Sequence, residues 1–97
     1  MAPSSPPLVS PVVVRLWASA RAAAGEAEVS VPVDGPVSVA WLRDEVVRRY
    51  PTGGQLDRVL QSCSVLVGDR PLGTTDPATV TVEPGGTVEF LPPFAGG

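Results

Sequence analysis

The fold is decided by VVVRLWASARAAAGEAEVSVPVDGPVSVAWLRDEVVRRY, residues 12–50. Its first six residues, Val12 to Trp17, are rich in β-branched and aromatic side chains, the composition of a strand. The small residues Ala18 to Gly25 suit a short helical turn or loop closed by glycine. Val29, Val31 and Val33 then alternate with Glu28, Ser30 and Pro32, which predicts a half-buried strand. Pro32 has no N–H to give a ladder, so this strand belongs at an edge or ends there. Asp34-Gly35-Pro36 reads as a turn. Ser38 follows as an N-cap, its hydroxyl free to accept from the first backbone N–H groups of a helix. Val39, Leu42, Val46 and Tyr50 lie on one helical stripe, which predicts a helix from Val39 to about Tyr50. Arg48-Arg49 in its last turn complement the helix dipole, and Pro51 and Gly53-Gly54 end it.

Downstream, Leu56 to Gln61 suits one short helical turn and Ser64 to Val67 a strand. Gly68-Asp69 turns the chain into Arg70-Pro71-Leu72. A polar loop covers 73–78, and Thr79 to Val82 is extended. Glu83-Pro84-Gly85-Gly86 is a turn into the last strand, Thr87 to Leu91, which Pro92-Pro93 stops. Strand, strand, long helix, then further strands is the order of a two-layer α+β domain. A mixed sheet with one main helix packed on one face is a β-grasp, the ubiquitin-like arrangement. Met1 to Pro11, with four prolines and three serines, reads as a disordered leader. The expected organisation is a leader over 1–11, a β-grasp domain over 12–91 and an extended tail over 92–97.

Two strands can be read by face. Val12, Val14 and Leu16 point one way, and Val13, Arg15 and Trp17 the other. On the last strand, Val88 and Phe90 oppose Glu89 and Leu91. If the helix covers the apolar sets, Trp17 and Leu91 share the open face with Arg15 and Glu89, a candidate partner surface; the alternative is that Trp17 packs under the N-terminal leader or a loop.

Composition narrows the function classes. The chain has 97 residues and a net charge of −3, with no His, a single Cys and seven cationic residues, all Arg. The arginines are scattered, which argues against nucleic acid. One cysteine, Cys63, excludes an internal disulfide and suits a core position in a reducing compartment. Without His and with one Cys, no protein-only zinc site is expected. No signal peptide or membrane span is visible, so the expectation is a cytoplasmic protein without membrane partners. There is no His base, carboxylate cluster or phosphate-cradling loop for an independent enzyme.

The chemistry is expected in the tail. Pro92-Pro93 lacks N–H donors and has fixed φ angles, so it leaves the sheet as a stiff extended segment. Phe94 is an apolar anchor, and Ala95-Gly96-Gly97 carries almost no side chain. A Gly-Gly end fits a narrow channel and adopts backbone angles closed to other residues. It can present the main-chain carboxylate of Gly97 for activation as an acyl-adenylate, from which a sulfur nucleophile displaces AMP. Glycines at a frayed terminus are the alternative reading.

The tail FLPPFAGG, preceded by EPGGTVE, resembles the MoaD/ThiS family of sulfur carriers, and within it the MoaD-like small subunit of molybdopterin synthase. VVVRLWASARAAAG looks like that family's first strand and its following Ala-x-x-Arg segment. Ser38-Val39-Ala40-Trp41-Leu42 stands where the family's helix starts. The likeness runs from Val12 to Gly97. It implies that Gly97 is the covalent carrier, Gly96 a spacer, and Pro92, Pro93, Phe94 and Ala95 the guide. It places Trp17 and Leu91 in contact with partners and matches Arg21 to the family's loop arginine. The implied partners are an E1-like adenylyltransferase (MoeB-like), a sulfur donor enzyme and the large subunit of molybdopterin synthase (MoaE-like). The carrier itself would be a non-catalytic subunit that binds no cofactor, ATP and Mg²⁺ being used by the activating enzyme. Phe94 is bulkier than the family's usual Val, and Trp41 replaces a polar helix residue. Open alternatives are a carrier for thiazole, cysteine or specialised-metabolite synthesis, and a ubiquitin-like binding module without covalent chemistry.

Overall fold

The computed structural model describes residues 10–50 and 53–93. The element order is β1 (Val12–Leu16), α1 (Ala18–Ala24), β2 (Glu28–Val31), β3 (Val37–Ser38), α2 (Val39–Arg48), α3 (Gly53–Ser62), β4 (Ser64–Val67), β5 (Arg70–Pro71), β6 (Thr81–Val82) and β7 (Thr87–Leu91). Five strands form one sheet in the order β2-β1-β7-β4-β5. β1 runs antiparallel to β2 and parallel to β7, while β4 is antiparallel to both β7 and β5. β3 and β6 make a separate two-stranded ribbon.

The valine alternation does what it predicts. Val12, Val14, Leu16, Val29, Val31, Val88 and Phe90 are buried on one face, against Ala20 of α1, Val39, Leu42 and Val46 of α2, and Leu56 and Leu60 of α3. The three helices among the described residues therefore cover the same face, and none of them lies on the opposite face of the sheet. β2 is an edge strand and stops just before Pro32. The Ser38 hydroxyl accepts from Trp41 N at 3.0 Å, capping α2 as expected.

Three features depart from the sequence reading. First, α3 is a ten-residue helix where one short turn was expected over 56–61, and Gly53-Gly54 open it instead of only ending α2. Leu56 and Leu60 are fully buried, with Val59 and Cys63 packed against them. That i, i+3, i+4, i+7 spacing outweighs the low helix propensity of glycine at the start. Second, Val37–Ser38 pairs with Thr81–Val82, a ribbon too short to show periodicity. Third, the expected leader reaches Pro11, yet Pro11 O accepts from Gly85 N at 3.2 Å, joining the chain just before β1 to the 83–86 turn. Residues 1–9 lie outside the described residues.

That turn explains the EPGG motif. Gly85 adopts φ +85°, which only glycine takes readily. A Cβ on Gly86 would come within 2.9 Å of Val82 Cγ1 and 3.0 Å of Glu83 O, so any side chain there forces its neighbours to shift. Gly86 O accepts from Val13 N at 3.0 Å, setting the parallel register of β1 and β7.

Candidate functional site

The site is built from the ends of two parallel strands. β7 lies at the centre of the sheet, flanked by β1 and β4, and its last residue is Leu91. Because β1 and β7 are parallel, they finish at the same end, with Leu16 opposite Phe90. The next residues, Trp17 and Leu91, share the open face. Trp17 N donates to Phe90 O at 3.1 Å, which fixes the tryptophan beside the root of the tail.

Trp17 does not pack into the body. It is 41% exposed. Its Nε1–H donates to Glu89 Oε1 at 3.0 Å, and the Arg15 guanidinium lies 5.6 Å from its ring centroid. Both contacts hold the indole against the open face in one orientation. Across the sheet, Arg15 pairs with Glu28 on β2 and with Glu89 on β7, so the charges alternate in a row. Half-buried Leu66 pairs with Glu89, and Ser64 pairs with half-buried Leu91. The result is an indole and two leucines beside a row of two carboxylates and one guanidinium.

The chain turns sharply after Trp17. Ala18 takes φ +50°, a left-handed conformation that costs a non-glycine residue about 1 kcal/mol. The turn sends α1 over the core face while Trp17 stays on the open one. Arg21 is exposed on α1, which is helical here, and its carbonyl receives Gly25 N at 2.7 Å. Arg21 therefore lies on the helix that follows Trp17, outside the row of the open face.

Pro92 and Pro93 are exposed and follow β7 directly. The four remaining tail residues singled out above, Phe94, Ala95, Gly96 and Gly97, lie outside the described residues. Trp41, 39% exposed, is on α2 in the helical layer, away from the open face. Cys63 is half-buried at the end of α3, and burial pushes its thiol pKa above the ordinary value. A thiol held protonated is a poor nucleophile, which fits a packing role. Among the described residues, no helix is long and apolar enough to cross a membrane.

No family model matches the sequence, and no curated protein does. Solved structures do. The solution structure of the Haloferax volcanii HVO 2177 protein covers 99% of this chain and 94% of its own, at 20% identity and a TM-score of 0.72. The solution structure of small archaeal modifier protein 1 from Methanosarcina acetivorans covers 92% of this chain and 98% of its own, at 20% identity and a TM-score of 0.69. A crystal structure of H. volcanii small archaeal modifier protein 1 covers 88% and 99%, at 23% identity and a TM-score of 0.66.

The fold is the ubiquitin-like β-grasp. In this β-grasp the α+β class and mixed sheet stand as read from the sequence, with α3 as a second helix of the same length as α2. Strand alternation in the sequence places Trp17 and Leu91 on the open face. It misses Leu66, whose place on the open face depends on the register of β4 against β7 and has no local signal.

Proposed function

We propose that this protein is a sulfur carrier whose reactive group is the carboxylate of Gly97, handed to partner enzymes across the open face of the sheet. The observation that carries the reading is the position of the tail root. The central strand ends in two exposed prolines, directly beside an exposed tryptophan that is hydrogen-bonded in place. A partner that encloses Pro92 to Gly97 meets Trp17 and Leu91 on the way.

In the proposed reaction an E1-like adenylyltransferase uses ATP and Mg²⁺. The Gly97 carboxylate attacks the α-phosphorus and pyrophosphate leaves. Sulfide, or sulfur delivered as its equivalent by a donor enzyme, then attacks the acyl carbon. AMP leaves with the C–O–P oxygen, and a thiocarboxylate remains. The acid and base groups belong to the partners, in keeping with a chain that has no His. Gly96 keeps the end slim, and Pro92 to Ala95 guide it. The tail motif favours delivery to a MoaE-like large subunit, where sulfur would be added to the pyranopterin precursor of the molybdenum cofactor.

A second reading keeps the adenylate and changes the nucleophile. Small archaeal modifier proteins share this fold, and their name favours transfer of the Gly97 acyl group to an amine of another protein. Intact mass spectrometry separates the readings. After incubation with the host's E1-like enzyme, ATP and sulfide, the carrier gains the mass of one oxygen replaced by sulfur. A modifier instead appears as a covalent adduct on a second protein. Adding one residue after Gly97 abolishes both and leaves a non-covalent binding module unaffected.

A further inference from the structure

A cleft of about 500 Å³ opens next to the root of the tail. Its walls are mostly apolar, among them Leu60 of α3, Val65 of β4, Leu72, and Phe90 and Leu91 of β7, with Gln61, Ser64 and Thr74 adding polar groups. One cation lines it, Arg43 of α2. The Arg43 Nε is buried and has no hydrogen-bond acceptor among the described residues. Asp76 also lines the cleft, but its Oδ1 accepts from Ala78 N at 2.9 Å and its carbonyl from Thr79, so it serves the loop it belongs to. The Arg43 Nε is closed to solvent, so a ligand in the cleft would meet the guanidinium through its terminal nitrogens. A mostly apolar cleft holding one such guanidinium fits an apolar side chain flanked by a carboxylate, which arginine can grip with two parallel bonds.

We propose that this cleft is a second docking point for the enzyme that activates the tail, receiving an apolar residue next to an Asp or Glu of that enzyme, with its carboxylate on Arg43. The proposal rests on the carrier reading, because it needs a protein that encloses the tail. Three features favour that occupant. Leu91 is at once a wall of the cleft and the last residue before the tail, so an enclosing protein passes the rim. The carrier's own tail cannot fill the cleft while it reaches another protein's active site. A second copy brings a further −3 of net charge against this chain's −3.

The test uses the full chain and the host's E1-like enzyme in ATP–pyrophosphate exchange, with carrier concentration varied. Arg43→Met is expected to raise KM at least fivefold with kcat unchanged, and Arg43→Lys to recover part of the loss. A carrier lacking Gly96 and Gly97 should compete as an inhibitor and weaken by the same factor on Arg43→Met. An unchanged KM for a folded Arg43→Met chain, judged by its amide NMR spectrum, overturns the proposal. So does a shift of the Arg43 Nε–H resonance in the free chain on deleting 94–97, which would make the chain's own tail the occupant. A wild-type dimer that Arg43→Met dissociates would assign the cleft to a second copy and overturn it as well. If no E1-like enzyme charges the chain, the carrier reading has failed separately. The cleft is then read by NMR titration with acetyl-Leu-Asp-amide against acetyl-Leu-Asn-amide. Shifts at Arg43 and Cys63 with the first peptide alone support the recognition chemistry, and no shifts with either overturn it.

Discussion

Replacing Trp17 with alanine should weaken the partner complex without slowing the chemistry. A tryptophan side chain offers up to about 250 Å² for burial. With the residue 41% exposed, about 100 Å² is left for a partner to cover. At about 25 cal/mol per Å² that is about 2.5 kcal/mol, or a limit of about 60-fold in affinity. Binding recovers only part of such an area, so the expected loss is about 10- to 60-fold. The indole is already oriented by Glu89 and Arg15, which reduces the ordering cost on binding. The assay is ATP–pyrophosphate exchange with the E1-like enzyme, in which KM should rise by that factor and kcat should hold. The control is Trp41→Ala. Trp41 is 39% exposed, nearly the same as Trp17, but lies on α2 and lines neither the open face nor the Arg43 cleft. Area alone would give both variants the same loss, whereas position predicts a loss for Trp17 only. A KM within twofold of wild type for Trp17→Ala, or an equal loss for Trp41→Ala, refutes the reasoning.

Other perturbations test the scaffold. Ser38→Ala removes the α2 cap and should cost about 1 kcal/mol, lowering Tm by about 4–8 °C in a thermal melt. Gly86→Ala places a Cβ against Val82 and Glu83 and should cost about 1–3 kcal/mol, read in urea unfolding as a lower midpoint with unchanged slope. Tyr50 is the chain's single tyrosine, so tyrosinate absorbance reports it alone. Burial, the hydrogen bond to Glu26 and the charge of Glu26 push its pKa up to about 12, against an opposing pull from Arg49. The folded state therefore favours the protonated phenol. Its contribution to stability is complete below about pH 10, the unfolded value, and is lost as pH rises through about 12. A titration midpoint near 10 in the folded protein would contradict this.

The parts of the fold that were legible are those with local periodicity. Alternation placed Val12, Val14 and Leu16 inside and Trp17 outside, and one stripe placed Val39, Leu42 and Val46 on the core. Proline at 32 marked the edge because a missing donor cannot be tolerated in a central strand. For α3, Gly53-Gly54 mimics a stop and masks the helical spacing of Leu56, Val59, Leu60 and Cys63, which the sequence itself carries. The β3–β6 ribbon and the position of Leu66 depend on partners distant in sequence, so no window of residues contains them. The candidate site divides in the same way. The proposed covalent end is readable as a motif, the open face from alternation, and the Arg43 cleft only from tertiary structure, because it joins α2, α3, β4 and β7.

The most direct test is the mass of the intact chain after reaction with the host's E1-like enzyme, ATP and sulfide, followed by sequencing of its C-terminal peptide. A sulfur-for-oxygen gain confined to Gly97, and lost when one residue is appended, is the predicted result. An unchanged mass with every E1-like enzyme of the host, or sulfur located anywhere other than Gly97, would contradict it.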